Sequence, residues 1–310
     1  MRLLLTGAAG LIGTHLTCHL EALGYDVVGV DKKNGDLREL GLADSLITDS
    51  HPNVVVHLAA LTGREFGDRA PNHAVTTNAL ASLLVAKACA AACVRLVYIS
   101  TSEAFGDHAD KFVHETDSDT LPHNIYGLSK RWGEEASRLY APDGLQILRL
   151  SMPYGPGFPA GFGRAALITF LWNAIHGREL TVHRNATRAW CWIGDLIAGI
   201  RMVIEDRGAG MWTIGRDDNE TSMLNVARMC CDAAGKSYDL IREVDAPANQ
   251  TLVKRLPNER LRRLGWAPTI ELREGIQRTC EMVAMYDDEG MPTEEVRNAI
   301  RNSYTVPQPA

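Results

Sequence analysis

The stretch LLLTGAAGLIGTHL, Leu3–Leu16, decides how the fold begins. A run of Leu reads as a buried strand, and Gly7, Gly10 and Gly13 follow at three-residue spacing before apolar positions resume at helical period. A chain that passes this tightly from strand to helix without Cβ atoms in the way is opening a βαβ unit. The same turn leaves backbone N–H groups of a helix N-terminus open to an anion, because no side chain covers them.

Strand and helix signals then alternate. DVVGVD, NVVVHLAA, RLVYIS and LQILRLS read as strands, with GTHLTCHLEALG, NALASLLVAKACAAAC and a segment starting near Tyr126 as the helices between them. Near-continuous apolar strands separated by helices predict a doubly wound parallel α/β sheet, Rossmann-like, covered on both faces. At 310 residues there is room for a second unit. Pro and Gly cluster after Met152, so a smaller C-terminal α/β substrate domain is expected. The expected division gives residues 1–152 with a returning segment at about 188–215 to the first domain, and about 153–187 with 216–310 to the second. The tail from Glu289 is polar and is expected to fray.

Composition narrows the function classes. The 32 basic and 38 acidic residues leave a formal charge of −6, which gives no electrostatic footprint for nucleic acid or an anionic membrane. MRLLLTGAAG is too short in its apolar part for a signal peptide, and no apolar run is read as membrane-spanning. The seven Cys are odd in number and lack C-x-x-C spacing, so they read as reduced thiols of a cytoplasmic protein. Cys230 and Cys231 read as helix packing with redox activity as the alternative. His15 and His19 have metal-ligand spacing but no third ligand, so no metal is expected. Of Trp190 and Trp192, one is expected in the core and the other near the substrate cleft.

Asp31 ends the second strand at the spacing of a ribose-binding acid, which would repel a 2′-phosphate and so favours NAD over NADP; Lys32 and Lys33 beside it soften that preference. Tyr126 and Lys130 in NIYGLSK are four apart and share a helix face. A free phenol has a pKa near 10, and a neighbouring ammonium with a nicotinamide cation is expected to lower it toward neutrality, making Tyr126 a base for a hydroxyl. Thr101 and Glu103 alternate at a strand end and so point to one side.

Taken together, TGAAGLIG, Asp31, Asp36 in GDLREL, HLAA, Asn78, STSEAFG, YGLSK, YGPG, RAWCWIGD and LGWAPTIELREG resemble the extended short-chain dehydrogenase/reductase superfamily, specifically the NAD-dependent epimerase/dehydratase branch acting on sugar nucleotides. The resemblance runs from Thr6 to about Thr279. It implies an enzyme that binds NAD through Gly7, Gly10, Leu11, Ile12, Gly13, Asp31, Asp36, Leu37, Leu58, Ala59, Ala60, Asn78, Tyr126 and Lys130. It implies a nucleoside diphosphate sugar as substrate, met by Thr101, Tyr126 and Arg188, with Arg164 and Arg184 as weaker anion contacts. Tyr126, Lys130 and Thr101 would oxidise a sugar hydroxyl at C4 to a transient ketone, and Glu103 with Ser102 would drive elimination or decarboxylation beside it. Glu103 as a loop fixture in a simple 4-epimerase is the alternative, and an NAD(P)H-dependent keto-sugar reductase is another, suggested by the short connection from Asp31 to Asp36. A non-enzymatic NAD-sensing or scaffold protein on the same fold is the reading from another class. Relatives carry Asn where this chain has Met152, which implies rearranged substrate contacts. The family's paired helices imply a homodimer.

Overall fold

The computed structural model describes residues 1–106, 121–140, 143–160, 165–248 and 250–305. Arg164 and the last five residues lie outside them. Six strands form the main sheet: β1 (Arg2–Thr6), β2 (Asp26–Val30), β3 (Val54–His57), β4 (Arg95–Thr101), β5 (Gln146–Leu150) and β6 (Gly210–Ile214). Their order is β6-β5-β4-β3-β1-β2, and every pairing is parallel. The order reverses between β1 and β3, and the C-terminal ends of β1 and β4 open at that edge, where α/β sheets place ligands.

The apolar strands are explained by what covers them. Leu3, Leu5, Val54, Val56, Val97 and Ile99 pack with helix Ile193–Asp206 on one face, while Leu4, Val55, Leu96 and Tyr98 meet Val85, Ala86 and Cys89 on the other. That second cover is a continuous helix, Pro71–Ala91, of 21 residues. By length and apolarity alone it passes for a membrane span, against the expectation that no run would; in the fold its buried face is spent on the sheet. Thr76–Leu80 within it has π-helical geometry.

A separate apolar cluster gathers Leu167, Leu171, Trp172, Val226, Ile276 and Val283 from helices Ala166–Ile175, Met223–Ala234 and Leu272–Val283. Short strands border it, Leu180–His183 pairing with Ile241–Val244 and Thr187–Arg188 with Val253–Lys254. As far as Thr305 the polar tail does not fray as expected; the rest of it lies outside the described residues. Glu294–Thr305 is a helix docked on helix Leu11–Ala22, because its Val296 and Ile300 are buried and its Tyr304 hydroxyl meets His15 Nδ1 at 2.9 Å. His15 Nε2 lies 3.1 Å from the Pro156 carbonyl, so this histidine works as a strut between three segments.

Candidate active site

A cleft of about 1960 Å³ runs from the glycine turn past the ends of β4 and β5 to the strand carrying Lys254. Pockets for one small molecule hold ~300–1,000 Å³, so this one has space for a dinucleotide and a second ligand. At its start the turn is packed too tightly for side chains. A Cβ on Gly13 would stand 2.3 Å from the Gly7 carbonyl oxygen, and one on Gly7, whose φ is +73°, would stand 2.8 Å from Ala59 N. No side chain caps helix Leu11–Ala22 at Gly10, so its first N–H groups face the cleft. This cradle fits a pyrophosphate.

The other expected cofactor residues divide. Leu11, Ile12, Leu58 and Ala60 line the cleft. Asp31 stands at the end of β2, where its carboxylate accepts the Lys33 N–H at 2.7 Å in a capping box with Asn34. Asp36 is held by the Arg38 guanidinium, which keeps its carboxyl down at about 2, and Leu37 packs on the apolar cluster beneath β2. Asn78 is fully buried within the π-helical stretch. Its amide pairs with both Leu61 N (2.7 Å) and Leu61 O (2.9 Å) and reaches Ser129 Oγ at 2.9 Å, so it fixes the loop after β3 instead of lining the cleft.

Helix Ile125–Tyr140 carries Tyr126 and Lys130 and seats directly against the end of β4. It approaches so closely because Gly127 and Gly133 face the strand: Cβ atoms there would lie 2.5 Å from the Glu103 carbonyl oxygen and 2.2 Å from the Tyr98 hydroxyl. Thr101, Ser102, Glu103, Tyr126 and Lys130 all border the cleft. The Tyr126 phenol hydrogen-bonds Thr101, and Lys130 lies 4.2 Å from the Tyr98 ring centre.

The expected acidification of Tyr126 is not met in the protein alone. Burial pushes the phenol up to about 12, with the Glu103 charge adding to it and the Thr101 bond opposing it. Burial likewise brings Lys130 down to about 7, against the pull of Glu134. The same dry surroundings that would strengthen the pair therefore also disfavour the ammonium that is meant to act on the phenol.

Glu103 also differs from the reading as an acid or base. Its Oε2 accepts from Asn124 Nδ2 at 2.9 Å and Thr251 Oγ1 at 3.0 Å, and its Oε1 pairs with the Lys254 ammonium. Burial opposes its charge, but Lys254 and these donors outweigh it and hold the carboxyl at about 2. A carboxylate this stable is a weak base and not an acid at neutral pH. Arg188 is 4% exposed on the cleft wall, and its guanidinium donates to the carbonyls of Thr187 (2.7 Å), Leu252 (2.6 Å) and Thr251 (2.8 Å). It braces a strand where a diphosphate contact was expected. Arg184 pairs with Asp245 on the surface. Trp190 is buried yet borders the cleft, while Trp192 packs its ring edgewise on Tyr154.

Lys254, Thr251 and Asn124 escaped sequence reasoning. Asn124 had a local signal, since a polar residue just ahead of a helix is a cap candidate, and it does accept the Gly127 N–H at 2.9 Å. The other two had none.

The model of the NAD dependent epimerase/dehydratase family matches residues 3–215. A dTDP-4-dehydrorhamnose reductase of Mycolicibacterium smegmatis is 25% identical over 281 residues, covering 89% of this chain and 84% of its own length. UDP-glucuronic acid decarboxylase 1 of Xenopus tropicalis is 25% identical over 307 residues, covering 90% and 71%. The solved structure of a Thermus thermophilus UDP-glucose 4-epimerase complex with NAD has a TM-score of 0.82 at 24% identity, covering 91% of this chain and 98% of that one.

Proposed function

Because the chain belongs to the NAD-dependent epimerase/dehydratase family, we propose that it converts a nucleoside diphosphate sugar through a transient ketone, in the manner of a 4-epimerase. The observation that carries this reading is the hydrogen-bonded Thr101–Tyr126 pair, with buried Lys130 on the same helix, bordering one cleft with the glycine turn.

Gly7, Gly10, Gly13 and Asp31 would hold NAD, which would supply a hydride acceptor able to return the hydride, and a positive charge in the cleft. Thr101 holds the reacting sugar oxygen, and Tyr126 exchanges its proton at the phenol oxygen. Lys130 tunes that phenol from one helical turn away. The described residues within 153–187 and 216–310 form the side that would close over the sugar nucleotide.

Epimerisation is preferred over dehydration because Glu103 is held by three donors and ionised, which favours chemistry that needs no further acid or base. Incubating the NAD-loaded protein with UDP-, dTDP- and GDP-sugars, uronic acids included, and reading product masses tests this. Unchanged mass with a new epimer by NMR supports it. Loss of one water overturns it in favour of a dehydratase, loss of carbon dioxide in favour of a decarboxylase, and consumption of NAD(P)H by a keto sugar in favour of a reductase.

A further inference from the structure

Lys254 sits at the end of a short arm that the rest of the fold holds in place. Three Arg188 bonds to Thr187, Thr251 and Leu252 carbonyls fix the arm's start, and Thr187 N and Ala189 N donate to Leu252 O (2.9 Å) and Lys254 O (2.8 Å). The arm delivers two groups onto Glu103, the Thr251 hydroxyl and the Lys254 ammonium. Glu103 is in turn tied to the reacting pair, since its N–H donates to Thr101 Oγ1 at 3.2 Å and Thr101 bonds Tyr126.

The ammonium has three N–H donors. Among the described residues its one acceptor is Glu103, and its side chain keeps 13% exposure on the cleft wall. Donors therefore remain for a ligand in the cleft, next to the place where Thr101 and Tyr126 meet the reacting oxygen. As a fastening between two parts of the fold the pair would be a poor device, because buried ion pairs add little stability over apolar packing.

We propose that Lys254 is a sugar-contacting specificity residue: it donates to the 3- or 6-hydroxyl oxygen, the hydroxyls on either side of the reacting C4 position, with Glu103 as its counter-ion. This rests on the ketone-forming reading above. Sugars that place an acceptor there are selected, and those lacking it leave a buried ammonium short of partners.

The test uses NAD-loaded protein carrying Tyr126→Phe, so that turnover is slow compared with the titration, with calorimetric titration of UDP-glucose, dTDP-glucose and the 3-deoxy and 6-deoxy analogues of each. With Lys254 present, one deoxy analogue is expected to bind about 10-fold or more weaker than its parent, the cost of a lost charge-assisted hydrogen bond. In Lys254→Met that preference collapses to about twofold, and in Lys254→Arg it is retained in part. Should Lys254→Met not fold, Lys254→Gln serves for the same comparison. If the preference persists in Lys254→Met while thermal stability falls, the residue is structural and the inference is overturned. Equal binding of parent and analogues with Lys254 present overturns it as well. Binding of none of the sugar nucleotides counts against the nucleotide-sugar reading itself and takes this inference with it.

Discussion

Behind the candidate active site lies a fully buried ion pair whose two halves should respond unequally to removal. Arg149 on β5 donates to Glu134 through Nε (2.8 Å) and Nη2 (2.7 Å), both side chains are 0% exposed, and Ser100 on β4 adds a 2.5 Å bond. Glu134 lies one turn beyond Lys130, so the pair seats helix Ile125–Tyr140 against two strands. Glu134 has further cations at hand, Arg131 at 3.9 Å and Arg138 at 3.7 Å. Arg149 has none of that support; it stacks 4.0 Å over the Phe105 ring and its Nη1 already lacks an acceptor among the described residues. Glu134→Leu therefore strands a buried guanidinium, at a cost of about 3–5 kcal/mol. Arg149→Met leaves a carboxylate still bonded to Ser100 and near two cations, at about 1–3 kcal/mol. The double variant removes both charges and should lie within about 2 kcal/mol of the parent. Urea denaturation followed by circular dichroism reads this out: with an m-value of about 3 kcal/mol/M, Glu134→Leu lowers the midpoint by about 1–1.7 M. An Arg149→Met loss equal to or larger than that of Glu134→Leu, or a double variant as unstable as the two losses combined, would refute the reasoning.

Other expectations follow from single features. His57 is fully buried between Thr6 Oγ1 (2.7 Å) and Ser82 Oγ (3.2 Å), and burial brings it down to about 3. With its folded value depressed, the stability it contributes is complete above the unfolded pKa of about 6.5 and is lost as pH falls toward 3, a change of about 5 kcal/mol. His57→Asn should flatten the urea midpoint between pH 6.5 and 4, and an unchanged slope would show that other groups drive the acid limb. Met152 has φ +44°, in the left-handed region where Asn is tolerated better than Met, which gives a backbone reason for the Asn that the family resemblance implies at this position. Met152→Asn should gain about 0.5–1 kcal/mol, read as a higher melting temperature; a lower one would mean that the thioether's packing matters more. Tyr126→Phe should cut turnover by about 10²–10⁴-fold while NAD affinity changes little, and retained turnover would remove the phenol from the chemistry. Trp132 (45% exposed), Leu139 (76%) and Leu80 (39%) stand out on the two long helices flanking the sheet, so a homodimer is proposed through them. Light scattering should give a dimeric mass that Trp132→Glu with Leu139→Glu converts to monomer.

The parts of this molecule that could be read from sequence are those whose cause is local. A glycine that must let two backbones approach, a helical i,i+4 pair, or an apolar run ending in a turn each announces itself within a few residues, and the sheet, the glycine turn and the Thr101–Tyr126–Lys130 constellation all have that origin. What could not be read was decided by partners arriving from far along the chain. Glu103 sits in a polar tripeptide that suggests chemistry, yet its state is fixed by Thr251 and Lys254, 148 and 151 residues away, and nothing in QTLVKRL marks those side chains. Arg188 looks like an anion contact because its motif gives the residue type and not the three carbonyls that engage it. The polar tail looks unstructured because its anchor, His15, lies at the opposite end of the chain.

Charge is the property least accessible to such local reasoning, and the Tyr126–Lys130 pair illustrates why. Spacing alone suggests that Lys130 should make Tyr126 acidic, but spacing does not report dielectric. Burial moves the phenol and the amine toward their neutral forms together, to about 12 and about 7. The pair thus stores little charge of its own, and the negative Glu103 nearby pushes the phenol the same way. A positive ligand entering this cleft meets a site in which each added charge acts on a weakly screened pair, so its effect on proton exchange should be far larger than in water. On that view Lys254 has a second consequence: by pairing with Glu103 it offsets a carboxylate's field in the same small volume, so its loss should also move the pH at which Tyr126 works, while Lys254→Arg should preserve that pH.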